Sequence, residues 1–412
     1  MSSAEEIRAQ ALEVAAGWSA ADAPGSWRLT AALFRAIAAH DELLGRLVVL
    51  PPGRLPALLA SAAVSLLVRR DGPVPLAGYF PEPGGPQPDF DDGFYPAAQA
   101  FMSARLDDIV AACVAHRYQM NEVARCTQIA LGISATTVSG DGPIALADLG
   151  TGAGLGLQLD RYDYVVGGRR FGPQRAALTL RCQVRGSREP PPVSLPRIAE
   201  RVGVDASPVD LQDAAARSWL RACAPPEASA LARLTAAMQV TRQYPAQLVA
   251  GEVLDVLPGV LDRFPPECTV IVADAYLAVF LSPEEQAELA RILARAGRTR
   301  PVTWLSLDPL VPLGAAGHDS VQGLPLPASL VRDYQDHGVF AVLGARTFYG
   351  STDRGRLLAR AHPSGDWIEW LDPELSTGPR SRRQQAYRDR SVRSSVAALA
   401  LPTETCAGST TW

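Results

Sequence analysis

The chain has 412 residues, a formal net charge of −4, 47% hydrophobic and 20% charged residues, the make-up of an ordinary globular protein long enough for two or three domains. It contains no lysine, which excludes Schiff-base chemistry and a phosphate-loop lysine, and its slightly acidic balance leaves no footprint for nucleic acid. Six cysteines without a CxxC pair and five histidines without HxxxH or HExxH spacing read as buried thiols and scattered side chains, so neither a disulfide frame nor a metal site is expected.

Polar and acidic residues follow Met1, so no secretory leader is read there. The most apolar run, residues 58–68, is too short to span a bilayer. A soluble, cytoplasmic protein with no membrane partner is expected. Residues 1–135 read as a helical N-terminal domain: "AEEIRAQALEVAAGW", "WRLTAALFRAIAAHDELLGRLVVL" and "LPALLASAAVSLLVRR" carry apolar residues at helical spacing, with Pro-Pro-Gly before the third. A Pro-, Gly- and Asp-rich loop covers residues 81–93. Helical pattern resumes over 96–133 with a break near His116, and a new helix is expected to start near Tyr118.

After Gly140 the pattern changes. "IALADLG", "RVGVD", "QLVAG", "TVIVAD" and "VTWLSLD" are short apolar runs, most of them ending in an acid or glycine, with helical stretches such as 214–240 and 283–296 between them. That alternation predicts a parallel sheet covered by helices over residues 136–371. "GVFAVLGARTF" and "GRLLARAHPSGDWIEWL" add two more strands, the last closing the sheet as an antiparallel hairpin. "RYDYVVGGRRFGPQRAALTLRCQVRGSREPPP", near 160–195, reads as an inserted hairpin around Gly167-Gly168 that either covers a pocket or extends the sheet. From 372 to 412 the chain is polar and Arg-rich and reads as a flexible tail, with a protein partner as one use for it.

The sharpest motif is "IALADLGTGAGLGLQ" at residues 144–158. An apolar strand leads to Asp148, followed by Gly150, Gly152 and Gly154 at alternate positions, which allow a tight turn and close approach of a ligand. The dinucleotide pattern G-x-G-x-x-G fails, because Leu155 or Leu157 stands where its last glycine belongs. The D-x-G-x-G-x-G spacing instead resembles the first motif of class I S-adenosylmethionine-dependent methyltransferases. That resemblance implies a methyltransferase-like Rossmann sheet, parallel with an antiparallel last strand. It implies that the glycine turn passes under the methionine moiety and that Asp148 engages its amino group. Asp205 in "RVGVD" would accept the ribose hydroxyls, Glu252 or Asp255 would lie near the adenine, and Asp274, with Tyr276 after it, would face the reaction site. About 50 residues separate the glycine turn from Asp205, where roughly 20 are usual.

The chain to about Leu371 also resembles a bacterial family known as domain of unknown function 2332, through "QMNEVARC", "ADLGTGAGLGLQLDRYDY", "RVGVDASPVDLQDAAARSWLRAC" and "ARAHPSGDWIEWL". That resemblance implies helices joined to a methyltransferase-like domain and no established reaction. The sequence departs from that family in its Gly-rich Asp148–Gly152 turn and at Ala273-Asp274, where relatives often carry a His before a small hydroxyl residue. The chain's one asparagine, Asn121, sits with Gln119, Glu122 and Arg125 on one predicted helix surface. One reading is a solvated face with a Glu122–Arg125 pair. The other has this face closing over the cofactor, with Glu122 or Asp274 as base, Asn121 shaping the pocket, Gln119, Arg125 and Tyr276 binding substrate, and His116 and Tyr118 as weaker candidates for the base. The expected function is an S-adenosylmethionine-dependent transferase acting on a small molecule, as in specialised metabolism. The alternatives are a cyclase or lyase on the same fold and a non-catalytic binding or assembly protein.

Overall fold

In the computed structural model the first helix, α1 (Ala4–Gly17), opens with a capping box in which Ser3 and Glu6 exchange side-chain-to-backbone bonds. The structure describes residues 2–19, 27–119, 121–137, 142–309, 320–337 and 340–372. The predicted Arg-rich tail lies outside them, apart from Asp372. The second sequence stretch divides at His40 into α2 (Arg28–Ala38) and α3 (Asp41–Leu47), because the imidazole Nδ1 accepts the Leu43 amide and starts a new helix. Pro56 at the first turn sets α4 (Pro56–Arg70), the apolar centre of this layer, and α5 (Phe94–Ala104) and α6 (Leu106–Ala115) complete it. Their buried residues form one cluster that also takes in Trp219, Ala222 and Cys223. No single helix among the described residues is long and apolar enough to cross a membrane.

The expected helix from Tyr118 does not form. The described residues from His116 to Glu122 are non-helical, a short 3-10 turn covers Val123–Arg125, and α7 starts at Cys126 and runs to Thr136. Long-range bonds hold the segment open: the Tyr118 hydroxyl donates to the Cys223 carbonyl at 3.0 Å, and the Trp219 indole donates to the Arg117 carbonyl at 2.7 Å. Tertiary contacts outweigh the modest local preference for helix here.

The rest is an α/β layer built on one 11-stranded, mostly parallel sheet. Its parallel block is β1 (Ile144–Leu149), β5 (Ile198–Asp205), β6 (Gln247–Ala250), β7 (Thr269–Ala275) and β8 (Val302–Pro309). In space the order is β6-β5-β1-β7-β8, so the five strands taken by chain position read 3-2-1-4-5, the doubly wound arrangement. Alternate residues of β1 serve opposite faces: Ile144 and Leu146 face a core with α7 (Cys126–Thr136) and α9 (Ala228–Gln243), while Ala145, Ala147 and Leu149 face α10 (Val253–Arg263) and α11 (Pro283–Ala296). Gly132 lets α7 lie close to the sheet, since a β-carbon there would stand 3.2 Å from a Leu305 methyl.

After β8 the pairing changes from parallel to antiparallel. β11 (Ala341–Tyr349) runs antiparallel beside β8 and turns into β12 (Thr352–Ala361), as the predicted terminal strands require. A third strand, β13 (Trp367–Trp370), follows the turn at His362–Asp366 and pairs with both β12 and β4 (Thr179–Arg185). The inserted hairpin, β2 (Asp163–Val166) and β3 (Arg169–Phe171), bends at Gly167-Gly168 and pairs through β2 with β4. The insertion thus extends the sheet by three strands. Helix α8 (Ala214–Cys223) is separated from α9 by Pro225-Pro226, where one long helical stretch was expected.

Candidate functional site

Beyond β1 the chain turns through Gly150, Gly152 and Gly154, all with positive φ (68°, 55° and 74°). L-residues with a β-carbon rarely adopt this region, so the alternating glycines are a backbone requirement. The turn consumes its own donors. The Gly150 and Thr151 amides go to the Val204 carbonyl, Gly154 to the Thr151 carbonyl, and Gly152 to the Asp205 carboxylate at 2.9 Å. Below the turn, Gly203 leaves room that a β-carbon would take from Thr151 (2.5 Å) and Leu248 (2.7 Å). Gly154 packs toward Leu248 and serves the turn itself. Gly156, a fourth glycine with no role assigned from sequence, makes way for Asp148, whose Oδ2 would lie 2.7 Å from an added β-carbon.

Two adjoining cavities open over this turn and share Asn121, Gly150 and Ala275. The larger, about 260 Å³, lies at the carboxyl ends of the strands and gathers Gln119, Asp205, Glu252 and Tyr276, with the half-exposed ring of Phe280 at its rim. The smaller, about 70 Å³, is bounded by Glu122, Arg125, Asp148 and Asp274. Asp255 borders neither and is exposed in the first turn of α10. Gln119 and Asn121 roof the turn: their amide atoms lie 3.2 Å from where a Gly152 β-carbon would be.

Each expected residue now has a partner or lacks one. Glu122 does not pair with Arg125. Its carboxylate grips Arg233 of α9 with two bonds of 3.1 Å and also accepts the Ala124 amide at 3.0 Å. Arg125 is buried, donates to the Pro363 carbonyl at 2.7 Å and lies 3.6 Å over the Tyr276 ring. Tyr276 has a φ of 71°, a strained value for an aromatic residue, and its buried hydroxyl has no hydrogen-bond partner among the described residues. His116 stacks on Trp219 at 4.3 Å, and Tyr118 is tied to Cys223, so both serve the seam between the helices and the sheet.

Burial raises three acids above the usual carboxylate range. Burial raises Asp148 to about 6, against the lowering effect of the Thr151 hydroxyl 2.6 Å away, with the Asp205 charge adding to the rise. Burial and then the charge of Asp308 raise Asp274 well above the usual carboxylate range, despite bonds from the Trp304 indole (2.6 Å) and the Ser306 hydroxyl (3.3 Å). Burial also raises Asp308, which bonds the Ser306 hydroxyl and the Ala278 amide. Asp308 was not singled out from sequence, although "VTWLSLD" ends in this acid as its neighbours do. No sequence signal marks Arg233, one Arg within an ordinary helix.

The sequence matches, over residues 11–370, the family described as uncharacterized protein conserved in bacteria (DUF2332). The chain belongs to that family. No curated protein matches it. The DUF2332 match spans both the helical layer and the whole sheet, so the roof segment 116–125 and the glycine turn lie within one family unit.

Proposed function

We propose that this DUF2332 protein binds S-adenosylmethionine at the carboxyl ends of β1, β5, β6 and β7 and acts as a methyltransferase-like transferase on a small molecule. The observation that carries this reading is that the amides of all three turn glycines, and of Thr151, are already engaged. A pyrophosphate needs free backbone donors at such a turn, whereas a ligand that only packs on the turn needs none. The 3-2-1-4-5 strand order supports it, since ligands of such sheets bind outside the carboxyl ends at the point where strand order reverses.

The residues present fit that cofactor. Asp205 accepts the Gly152 and Ser207 amides at 2.9 and 2.7 Å. A carboxylate has about four acceptor sites, so it retains capacity for ribose hydroxyls. Glu252 and Phe280 lie on the same cavity, where an adenine would meet an acceptor and an aromatic face. The unpartnered Tyr276 hydroxyl and the Gln119 and Asn121 amides supply polar contacts over the turn. When bound, S-adenosylmethionine supplies an electrophilic methyl group on a sulfonium.

The chain's own part is alignment, exclusion of water and proton handling. Glu122 is committed to Arg233 by two bonds and serves to hold α9 against the roof segment. Asp148, with a value near 6, is matched to accept a proton at neutral pH. A lyase on the same fold is the second reading, favoured by Asp274, whose carboxyl burial and the neighbouring Asp308 push well above the usual range where it borders the smaller cavity.

Calorimetric titration of the full chain with S-adenosylmethionine and S-adenosylhomocysteine tests the proposal. Saturable binding to one site is expected, with stabilisation of roughly 2.7 kcal/mol at 100 times the dissociation constant. No binding heat and no thermal shift with either ligand at millimolar concentration would overturn it.

A further inference from the structure

A cavity of about 810 Å³ lies away from the glycine turn, between the β2–β4 arm, β13 and the start of α9. This is within the range of roughly 300–1,000 Å³ typical of small-molecule sites. Two buried indoles wall it, Trp27 and Trp367. Trp18 backs Trp27 at a ring distance of 3.9 Å. The Trp367 N–H is buried and has no acceptor among the described residues. Three guanidinium groups, Arg181, Arg185 and Arg233, border the same space, and that of Arg185 lies 4.3 Å over the Trp367 ring. One acid, Asp366, also borders it, but its Oδ2 is occupied by the Ser364 hydroxyl at 2.7 Å.

We propose that this cavity binds a small organic anion with a flat apolar body, a carboxylate or phosphate ester of aromatic type. The indoles offer apolar surface beside the ring contacts they already make with Trp18, His362 and Arg185, the Trp367 N–H is a donor in need of an acceptor, and the guanidinium groups complement the negative charge. Asp366 makes the wall less than purely cationic, yet three Arg outweigh one acid that is already hydrogen-bonded.

The cavity is coupled to the first site by a single ion pair. Arg233 borders the large cavity, and its partner Glu122 borders the small one beside Asp148. An anion drawn to Arg233 competes with Glu122 and loosens the partition between the two spaces. The occupant's role as the group acceptor rests on the function proposed above; its binding does not.

The test is calorimetric titration of the full chain with phenylacetate, phenyl phosphate, phenylacetamide and inorganic phosphate. At least one aromatic anion should saturate a single site, with the amide and inorganic phosphate at least tenfold weaker. A preference between the two aromatic anions identifies the charged group as carboxylate or phosphate. Arg181→Ala, at an exposed position, should weaken the anion at least tenfold without altering the melting temperature, and Trp367→Phe should weaken it while keeping a ring. The idea is overturned if neither aromatic anion saturates, if the amide or inorganic phosphate binds equally well, or if Arg181→Ala leaves anion affinity unchanged. S-adenosylhomocysteine titrated into the same samples separates the two proposals: its failure alongside intact anion binding would sink the cofactor reading alone.

Discussion

The Asp205 carboxylate accepts the Gly152 amide at 2.9 Å, so the acid expected to hold a ribose also holds the glycine turn in place. Its other oxygen accepts the Ser207 amide at 2.7 Å. From sequence alone Asp205 reads as a strand-end acid whose loss would hardly touch the empty fold. The structure gives it two structural bonds, each to a charged acceptor and each worth about 1.5–3 kcal/mol.

Asp205→Ala is therefore expected to lower stability by about 2 kcal/mol and to weaken S-adenosylhomocysteine by a similar amount. Asp205→Asn, which keeps one acceptor oxygen, should lose less of both. Denaturant melts and titrations of the two variants check this. An unchanged melt for Asp205→Ala would mean that the turn holds itself.

Glu122→Gln should act through packing. Its partner Arg233 is mostly buried, and removing one member of such a pair leaves a charge without its counterpart. A loss of about 2–3 kcal/mol is expected, somewhat below that of a fully buried pair. In a double-variant cycle, Arg233→Gln added to Glu122→Gln should cost little more than either alone. Additive losses would show that the two do not act as a pair.

Gly203→Ala tests the floor beneath the glycine turn. The new methyl would stand 2.5 Å from Thr151 and 2.7 Å from Leu248, so the turn must shift. Overpacking of this kind costs about 1–3 kcal/mol. Binding at the larger cavity should fall with it, because Gly150 and Asp205 border that space. A variant with wild-type stability and binding would show that the turn yields freely.

Glu227 sets a pH dependence. It is fully buried, accepts the Thr30 hydroxyl at 2.9 Å, and burial raises it from about 4.5 to about 8. Between those values the folded chain keeps a proton that the unfolded chain releases. Stability from this group is thus full below about pH 4.5 and is lost as pH rises toward 8, at about 1.4 kcal/mol per pH unit. Asp148 adds to the slope between about 4 and 6. Glu227→Gln should flatten the limb from pH 6 to 8 in urea melts, and an unaltered slope there would assign the effect to other groups.

The sequence by itself determined the strands of the parallel block, the glycine turn, and the break between helices at His116. These are local properties: alternation along a strand, the left-handed φ that glycine alone adopts easily, and runs of apolar residues at helical spacing. It also singled out Asn121 with Gln119 as part of one polar surface, expected on a helix, and the structure puts both amides over Gly152 without that helix. Only the tertiary structure decided that the described residues of this segment are non-helical, that Glu122 answers to Arg233, that Asp308 stands beside Asp274, and that β13 joins β12 to β4. Glu122 and Arg233 are 111 positions apart and β13 pairs across the insertion, so no local period carries either contact. Such pairings depend on which buried charges and strand edges need partners once the chain has collapsed, a condition set by the whole fold.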